Sequence, residues 1–167
     1  MMQKKDFLET IYRMYVKDLY TYGMSCCFDM TIVEDAIHDI FLDIYCRREK
    51  LAKIGNLKHY LLSALRYGIN FLRKDRHLFE EFDPDCDRLF GSDRQEWMDQ
   101  EEKADKDQFV DKLLLQLNQH QREVIHLRFA EGLSFGEIAE LMQMNRQSVQ
   151  NLFGRAINKL RKKFNIK

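Results

Sequence analysis

One proline stands in the whole chain, at position 84, so nothing covalent obliges a helix to stop anywhere else along 167 residues. What lies on either side has the apolar spacing of helices and not of strands. Phe7, Ile11, Met14, Tyr15, Leu19 and Tyr22 recur three or four residues apart, which predicts a first helix ended by the Gly23 to Asp29 stretch. Val33, Ala36, Ile37, Ile40, Phe41 and Ile44 predict a second, with Thr31 available as its cap. After the charged run Arg47 to Lys53 and an Ile54-Gly55-Asn56 break, a third helix places Leu57, Leu61, Ala64, Leu65, Gly68, Ile69 and Leu72 inside. Three helices of this length can share one core, which puts a domain boundary near Arg76 to Leu78.

From Glu80 to Asp107 neither period persists, and Pro84 sits among Asp83, Asp85 and Asp87, so this segment is expected to be a linker. Four helices are expected after it. Phe109, Val110, Leu113, Leu114 and Leu117 mark the first, and Val124, Ile125 and Leu127 the second. Ser134-Phe135-Gly136-Glu137 is a capping box in sequence, because the serine oxygen can accept the Glu137 amide while the carboxylate reaches back. The helix it starts has only Ile138, Ala139, Leu141 and Met142 before Gln143-Met144, and Asn145 is a strong cap for the next. There Val149, Leu152, Phe153, Ala156, Ile157, Leu160 and Phe164 keep helical period. A short helix, a tight turn and a longer helix make a helix-turn-helix. The expected fold is all-α, with two small helical domains (1–78, three helices, and 108–167, four helices) joined by an acidic linker, 79–107.

The formal net charge is zero, but its distribution is uneven. Residues 1–79 hold 13 basic and 10 acidic side chains, 80–107 hold 4 and 12, and 108–167 hold 10 and 5. Two basic ends around an acidic middle suggest nucleic acid at both ends and a middle that polyanions repel. In a helix-turn-helix the second helix enters the major groove, and its outward residues near the N-terminus are Arg146, Gln147, Gln150 and Asn151. Arginine suits the O6 and N7 of guanine, and Gln or Asn the N6 and N7 of adenine. Arg155, Lys159, Arg161, Lys162 and Lys163 supply charge for phosphates. An ordinary solvated face would mix signs, whereas no acidic residue occurs from Asn145 to Lys167.

These C-terminal residues carry a resemblance. Leu117-Asn118-Gln119-His120-Gln121-Arg122-Glu123-Val124, followed by Glu131-Gly132-Leu133-Ser134-Phe135-Gly136-Glu137-Ile138-Ala139, is similar to region 4 of bacterial sigma factors of the extracytoplasmic-function group, which retain only regions 2 and 4. Asn118 stands where that family usually has proline, and Gln143-Met144-Asn145 where glycine, an aliphatic residue and Ser or Thr are usual. Glu34-Asp35-Ala36-Ile37-His38-Asp39-Ile40-Phe41-Leu42 looks like the family's polymerase-docking helix, with His38 in place of glutamine. The resemblance implies that Asp35, His38, Asp39, Leu42 and Asp43 face the clamp helices of the RNA polymerase β′ subunit, that the C-terminal domain meets the β flap, and that an anti-sigma factor exists. Leu42, exposed among carboxylates, fits a mixed interface. It also implies that Lys53, Asn56, Lys58, His59 and Arg66 read and open the promoter's upstream-proximal element, the one that melts, although Tyr67 follows Arg66 where the family often has Asn. The acidic linker then either mimics phosphates in polymerase channels or is a solvated spacer; both readings stay open.

Other classes fit the residues less well. Asp35, His38, Asp39 and Asp43 share a helix face, but one helix cannot surround an ion, so no metal is expected. Cys26, Cys27, Cys46 and Cys86 form no C-x-x-C pair and are expected to be reduced thiols. No phosphate-binding glycine loop or nucleophile motif occurs, so neither a cofactor nor catalysis is expected. No apolar run is long enough to cross a membrane, and cytosolic location is expected without membrane insertion. The expected function is promoter recruitment of core RNA polymerase. The alternatives are a stand-alone helix-turn-helix regulator and, further off, a helical adaptor or metal-dependent enzyme.

Overall fold

The structure, a computed structural model, describes residues 4–75 and 112–165, and every regular element in them is helical. The chain divides into two compact units, Met1–Leu78 and Phe79–Lys167. The first contains α1 (Lys4–Cys26), α2 (Met30–Cys46), α3 (Arg48–Leu51) and α4 (Leu57–Asp75). The second contains α5 (Gln119–Phe129), α6 (Phe135–Met142) and α7 (Arg146–Phe164), preceded by a helical turn at 112–114. The acidic segment 79–107, with Cys86, and the residues Phe109 and Val110 lie outside the described residues.

In the first unit α1, α2 and α4 each bury one stripe. Ile11, Leu19, Tyr22 and Cys26 come from α1, and Leu61, Leu62, Leu65 and Ile69 from α4. Between them lie Ile32, Val33, Ala36, Ile37, Ile40, Phe41 and Ile44 of α2. Each large aliphatic chain removed from water contributes about 1.5–3 kcal/mol. Two expectations need correction. The cap of α2 is Asp29, whose Oδ1 accepts from the Thr31 and Ile32 amides at 3.0 and 3.3 Å, so Thr31 is the second residue of a helix already started. α1 ends at Cys26, inside the Gly23 to Asp29 stretch expected to end it, and Gly23 itself is still helical. It lets α1 approach its neighbours, since a Cβ there would lie 2.6 Å from Val33 Cγ1. Met14, assigned to the core by its spacing, is 61% exposed. The charged run after α2 also holds a single helical turn, α3, that apolar period does not announce because it buries no residue.

In the second unit α5 starts at Asn118, whose φ of −72° and ψ of 170° are those of a cap. Its Oδ1 accepts from the Gln121 amide at 2.9 Å, and Gln121 Oε1 accepts from the Asn118 amide at 3.2 Å. The φ is one that proline would also adopt, but proline has no N–H for the second bond. Arg122, buried with Gln121 and Glu123, donates from Nη1 to the Leu117 carbonyl at 2.7 Å and closes the approach to α5. The chain turns after α5 through Gly132, at φ +66°, with the Leu133 amide donating to the Leu127 carbonyl at 3.1 Å. Arg128 spans the same turn, donating to the Leu133 carbonyl at 2.8 Å while its guanidinium lies 4.8 Å from the centre of the Phe135 ring.

Candidate nucleic-acid interface

Ser134 and Glu137 form the reciprocal capping box that starts α6. The serine Oγ accepts from the Glu137 amide at 3.2 Å, and Glu137 Oε2 accepts from the Ser134 amide at 2.8 Å. α6 lasts two turns and buries Ile138, Ala139, Leu141 and Met142. It stops at Gln143, which takes the left-handed conformation, φ 55° and ψ 44°, so that the Met144 amide can donate back to the Ala139 carbonyl at 2.9 Å. Asn145 then caps α7, its Oδ1 accepting from the Ser148 amide at 2.7 Å. The expected helix-turn-helix is present, with Gln143 holding the position where glycine would avoid a Cβ penalty.

α7 is fixed to the rest of its unit by Val149 and Ala156, its two fully buried residues, and by Phe153. The Phe153 ring lies 5.9 Å from Phe129 and 5.2 Å, edge on, from Phe135. The remaining apolar positions, Leu152, Ile157, Leu160 and Phe164, are only half-buried, so the sequence stripe overstates how deeply α7 sits. Arg146, Gln147, Asn151, Arg155 and Lys159 are exposed, as are Arg161, Lys162 and Lys163, and Gln150 is half-buried. At 100° per residue, Gln147, Asn151 and Asn158 share the face opposite Val149, with Gly154 between them; Arg146 and Gln150 flank it. Asn158, exposed, was not singled out by its type, yet the spacing of 147, 151 and 158 identifies it. Within this face Gln147 Nε2 donates to Asn151 Oδ1 at 3.1 Å.

In the first unit the outer face of α2 carries exposed Glu34, His38 and Asp39, with half-buried Asp35 and Asp43. Asp43 pairs with Arg47 at 2.9 Å. Leu42 is 51% exposed, and Tyr45, 53% exposed, adds a second apolar chain that the acidic pattern hid. Tyr12 of α1, also exposed, meets Phe41 edge on at 5.1 Å.

The residues expected at the melted DNA are less uniform. Lys53 is exposed, but Asn56 caps α4, its Oδ1 accepting from the His59 amide at 3.1 Å. Lys58 pairs with Asp18 of α1 at 3.0 Å, and His59 and Arg66 are half-buried. On the outside of α4 stand Tyr60, Tyr67 and Phe71, the last two 71% and 57% exposed, spaced 7 and 4 residues apart. That helical spacing of exposed aromatics on a basic helix was the signal that core-finding absorbed. Close by, a cleft is lined by Phe7, Tyr45, Arg47, Arg48, Lys50 and Leu57 among others, with the Arg48 guanidinium 5.5 Å from the Phe7 ring centre.

Comparison with known proteins finds similarity in both units. Residues 113–162 match the family described as Sigma-70, region 4. Along 95% of the chain, over 169 aligned residues, it is 25% identical to the ECF RNA polymerase sigma factor SigX of Bacillus subtilis (strain 168), 84% of which is covered. The chain is thus similar to an extracytoplasmic-function sigma factor along nearly its whole length, and to the Sigma-70 family in region 4. Its fold is similar to that of the sigma factor RpoE of Bartonella quintana, solved in complex with the anti-sigma factor NepR, at a TM-score of 0.66 and 20% identity. That similarity covers 98% of this chain and 99% of the other. The chain therefore shares its all-helical fold with that protein and its region 4 sequence with the Sigma-70 family. Among the described residues, none of its helices is long and apolar enough to cross a membrane.

Proposed function

We propose that this protein is an extracytoplasmic-function sigma factor that brings core RNA polymerase to promoters through four surfaces on two units. Residues 1–78 act as region 2, 79–107 as the linker and 108–167 as region 4. Asp35, His38, Asp39, Leu42 and Asp43 on α2 dock against the β′ clamp helices, and region 4 meets the β flap. Arg146, Gln147, Gln150 and Asn151 read base edges of the upstream element in the major groove, while Arg155 and Lys159 hold phosphates. Lys53, Asn56, Lys58, His59 and Arg66 attend the melted element, where Tyr60, Tyr67 and Phe71 offer rings on which unpaired bases stack. RNA synthesis itself belongs to the polymerase, and the protein works in the cytosol where polymerase is. By analogy with the Bartonella complex, an anti-sigma factor restrains it.

The observation that carries this reading is the capped helix-turn-helix whose second helix is exposed, basic and free of acidic residues. A stand-alone regulator would account for residues 113–162, but not for similarity to a sigma factor along 95% of the chain. Run-off transcription with purified core polymerase on genomic fragments tests the activity and identifies the promoter. Reversing charge at Asp35 and Asp39 together with Leu42→Arg is expected to weaken core binding by at least about 30-fold, the loss of roughly 2 kcal/mol typical of a central interface anchor. DNA binding by α7 should survive. Normal core affinity, with helicity verified by circular dichroism, would remove α2 as the docking surface.

A further inference from the structure

The Gln147–Asn151 hydrogen bond makes the two side chains unequal, although both are amides on the same exposed face of α7. Gln147 donates from Nε2 and Asn151 accepts at Oδ1, 3.1 Å apart. Once the Nε2 hydrogen directed away from Oε1 is committed in this way, the opposite edge of Gln147 presents one acceptor, Oε1, and one donor, the second Nε2 hydrogen. That edge is complementary to the N6 donor and N7 acceptor of adenine. Guanine offers two acceptors, and Oε1 would face one of them. The atoms left on Asn151 are the two Nδ2 hydrogens, which suit an acceptor such as thymine O4, guanine O6 or a phosphate oxygen. The i, i+4 spacing brings the two amides together on a helix that is formed before DNA arrives. A free glutamine loses up to about 2 kcal/mol of rotamer freedom when it is fixed, and part of that ordering is done by Asn151 in advance.

We infer that Asn151 is a positioning residue that holds Gln147 ready for a single adenine of the upstream element, and that Asn151 does not itself read a second adenine. The inference rests on the proposed promoter-reading role of α7 and narrows it to one base pair. It also predicts which replacements of Asn151 work. Aspartate can only accept, so it keeps Gln147 oriented with Nε2 inward. Leucine fills similar space but offers nothing to accept.

The test is selection from a randomised duplex DNA library by the holoenzyme, full-length chain on core polymerase, followed by sequencing of the bound fraction. The wild-type chain is expected to enrich adenine at a position where Gln147→Ala loses about tenfold of that enrichment, the scale of one bidentate contact. Asn151→Leu should lose about twofold at the same position, the scale of one i, i+4 side-chain contact. Asn151→Asp should restore the preference there while lowering total binding through its charge. Because both residues are exposed, helicity and melting temperature should be unchanged in all three variants. Asn151→Leu leaving that position untouched, or shifting only a different base pair, would overturn the inference while the reading role of α7 stands. Failure of Asn151→Asp to restore the adenine enrichment that Asn151→Leu lowers would also overturn it. A holoenzyme that enriches no upstream sequence at all overturns the reading role and the inference together.

Discussion

α2 and α7 are of similar length and both are amphipathic in sequence, yet α2 buries seven of its 17 residues and α7 two of its 19. The contrast follows from what each helix has to meet. α2 is held on one face by α1 and α4, and its other face, proposed to meet polymerase, stays exposed. A recognition helix has to enter a groove about 12 Å wide, scarcely more than its own diameter, and so must stand clear of its own domain. Its anchors are accordingly few and close to one line: Val149, Ala156 and the Phe153 ring wedged against Phe129 and Phe135.

Four measurements would break or sharpen this contrast. Ile37→Ala on α2 is expected to cost about 2–4 kcal/mol in denaturant unfolding of the full chain, and Ile157→Ala on half-buried α7 about 1 kcal/mol or less; equal losses would erase the distinction. Next in size, Arg146→Ala or Gln150→Ala should cost about 1–3 kcal/mol of promoter discrimination, whereas Lys159→Ala should weaken promoter and scrambled DNA alike and reduce the salt slope by about one. Titrations of both DNAs across a salt series distinguish the two. Gln143→Gly should stabilise the C-terminal unit by about 0.5–1 kcal/mol by relieving its positive φ, visible as a higher melting temperature. An unchanged or lower value would mean that the Gln143 side chain contributes more than its backbone costs. The smallest effect is expected from Asp18→Asn. With both side chains of the Lys58–Asp18 pair well exposed, stability should move by less than about 0.5 kcal/mol, while Lys58 becomes freer for phosphate and the salt slope steepens. A shallower slope would show that the pair presents Lys58 instead of restraining it.

Most of the fold can be read from apolar period because it rests on residues that pack at i, i+3 and i+4, as Val33, Ala36, Ile37, Ile40, Phe41 and Ile44 do. Local chemistry identifies Ser134, Glu137 and Asn145 equally well, since a cap depends on neighbours within three residues. Period fails where depth depends on the other helices present. Met14 and Ile157 have the right spacing, but their helices do not meet enough partners there to cover them. Thr31 and Asp29 are both good caps by type, and the helix uses Asp29, with Thr31 already inside it. The second role of Gly23, its close approach to Val33 ten residues away, is a tertiary fact that no local pattern carries. At the candidate site, residue type pointed to the outward amides and arginine of α7. It missed that Asn56 is occupied as a cap, that Lys58 is paired, and that Tyr67 and Phe71 face outward.

The two ends of α7 are electrically unlike what stability alone would favour. Arg161, Lys162 and Lys163 in the last turn oppose the negative pole of the helix, but the first turn has no acidic residue and its cap is the neutral Asn145. An aspartate at 145 would cap as well and would add up to about 1 kcal/mol by facing the positive pole. It would also place a negative charge where the chain first meets a phosphate. Selection for a more heat-resistant protein and selection for tighter promoter occupancy therefore pull this one position in opposite directions, and a neutral amide is the side chain that yields to neither.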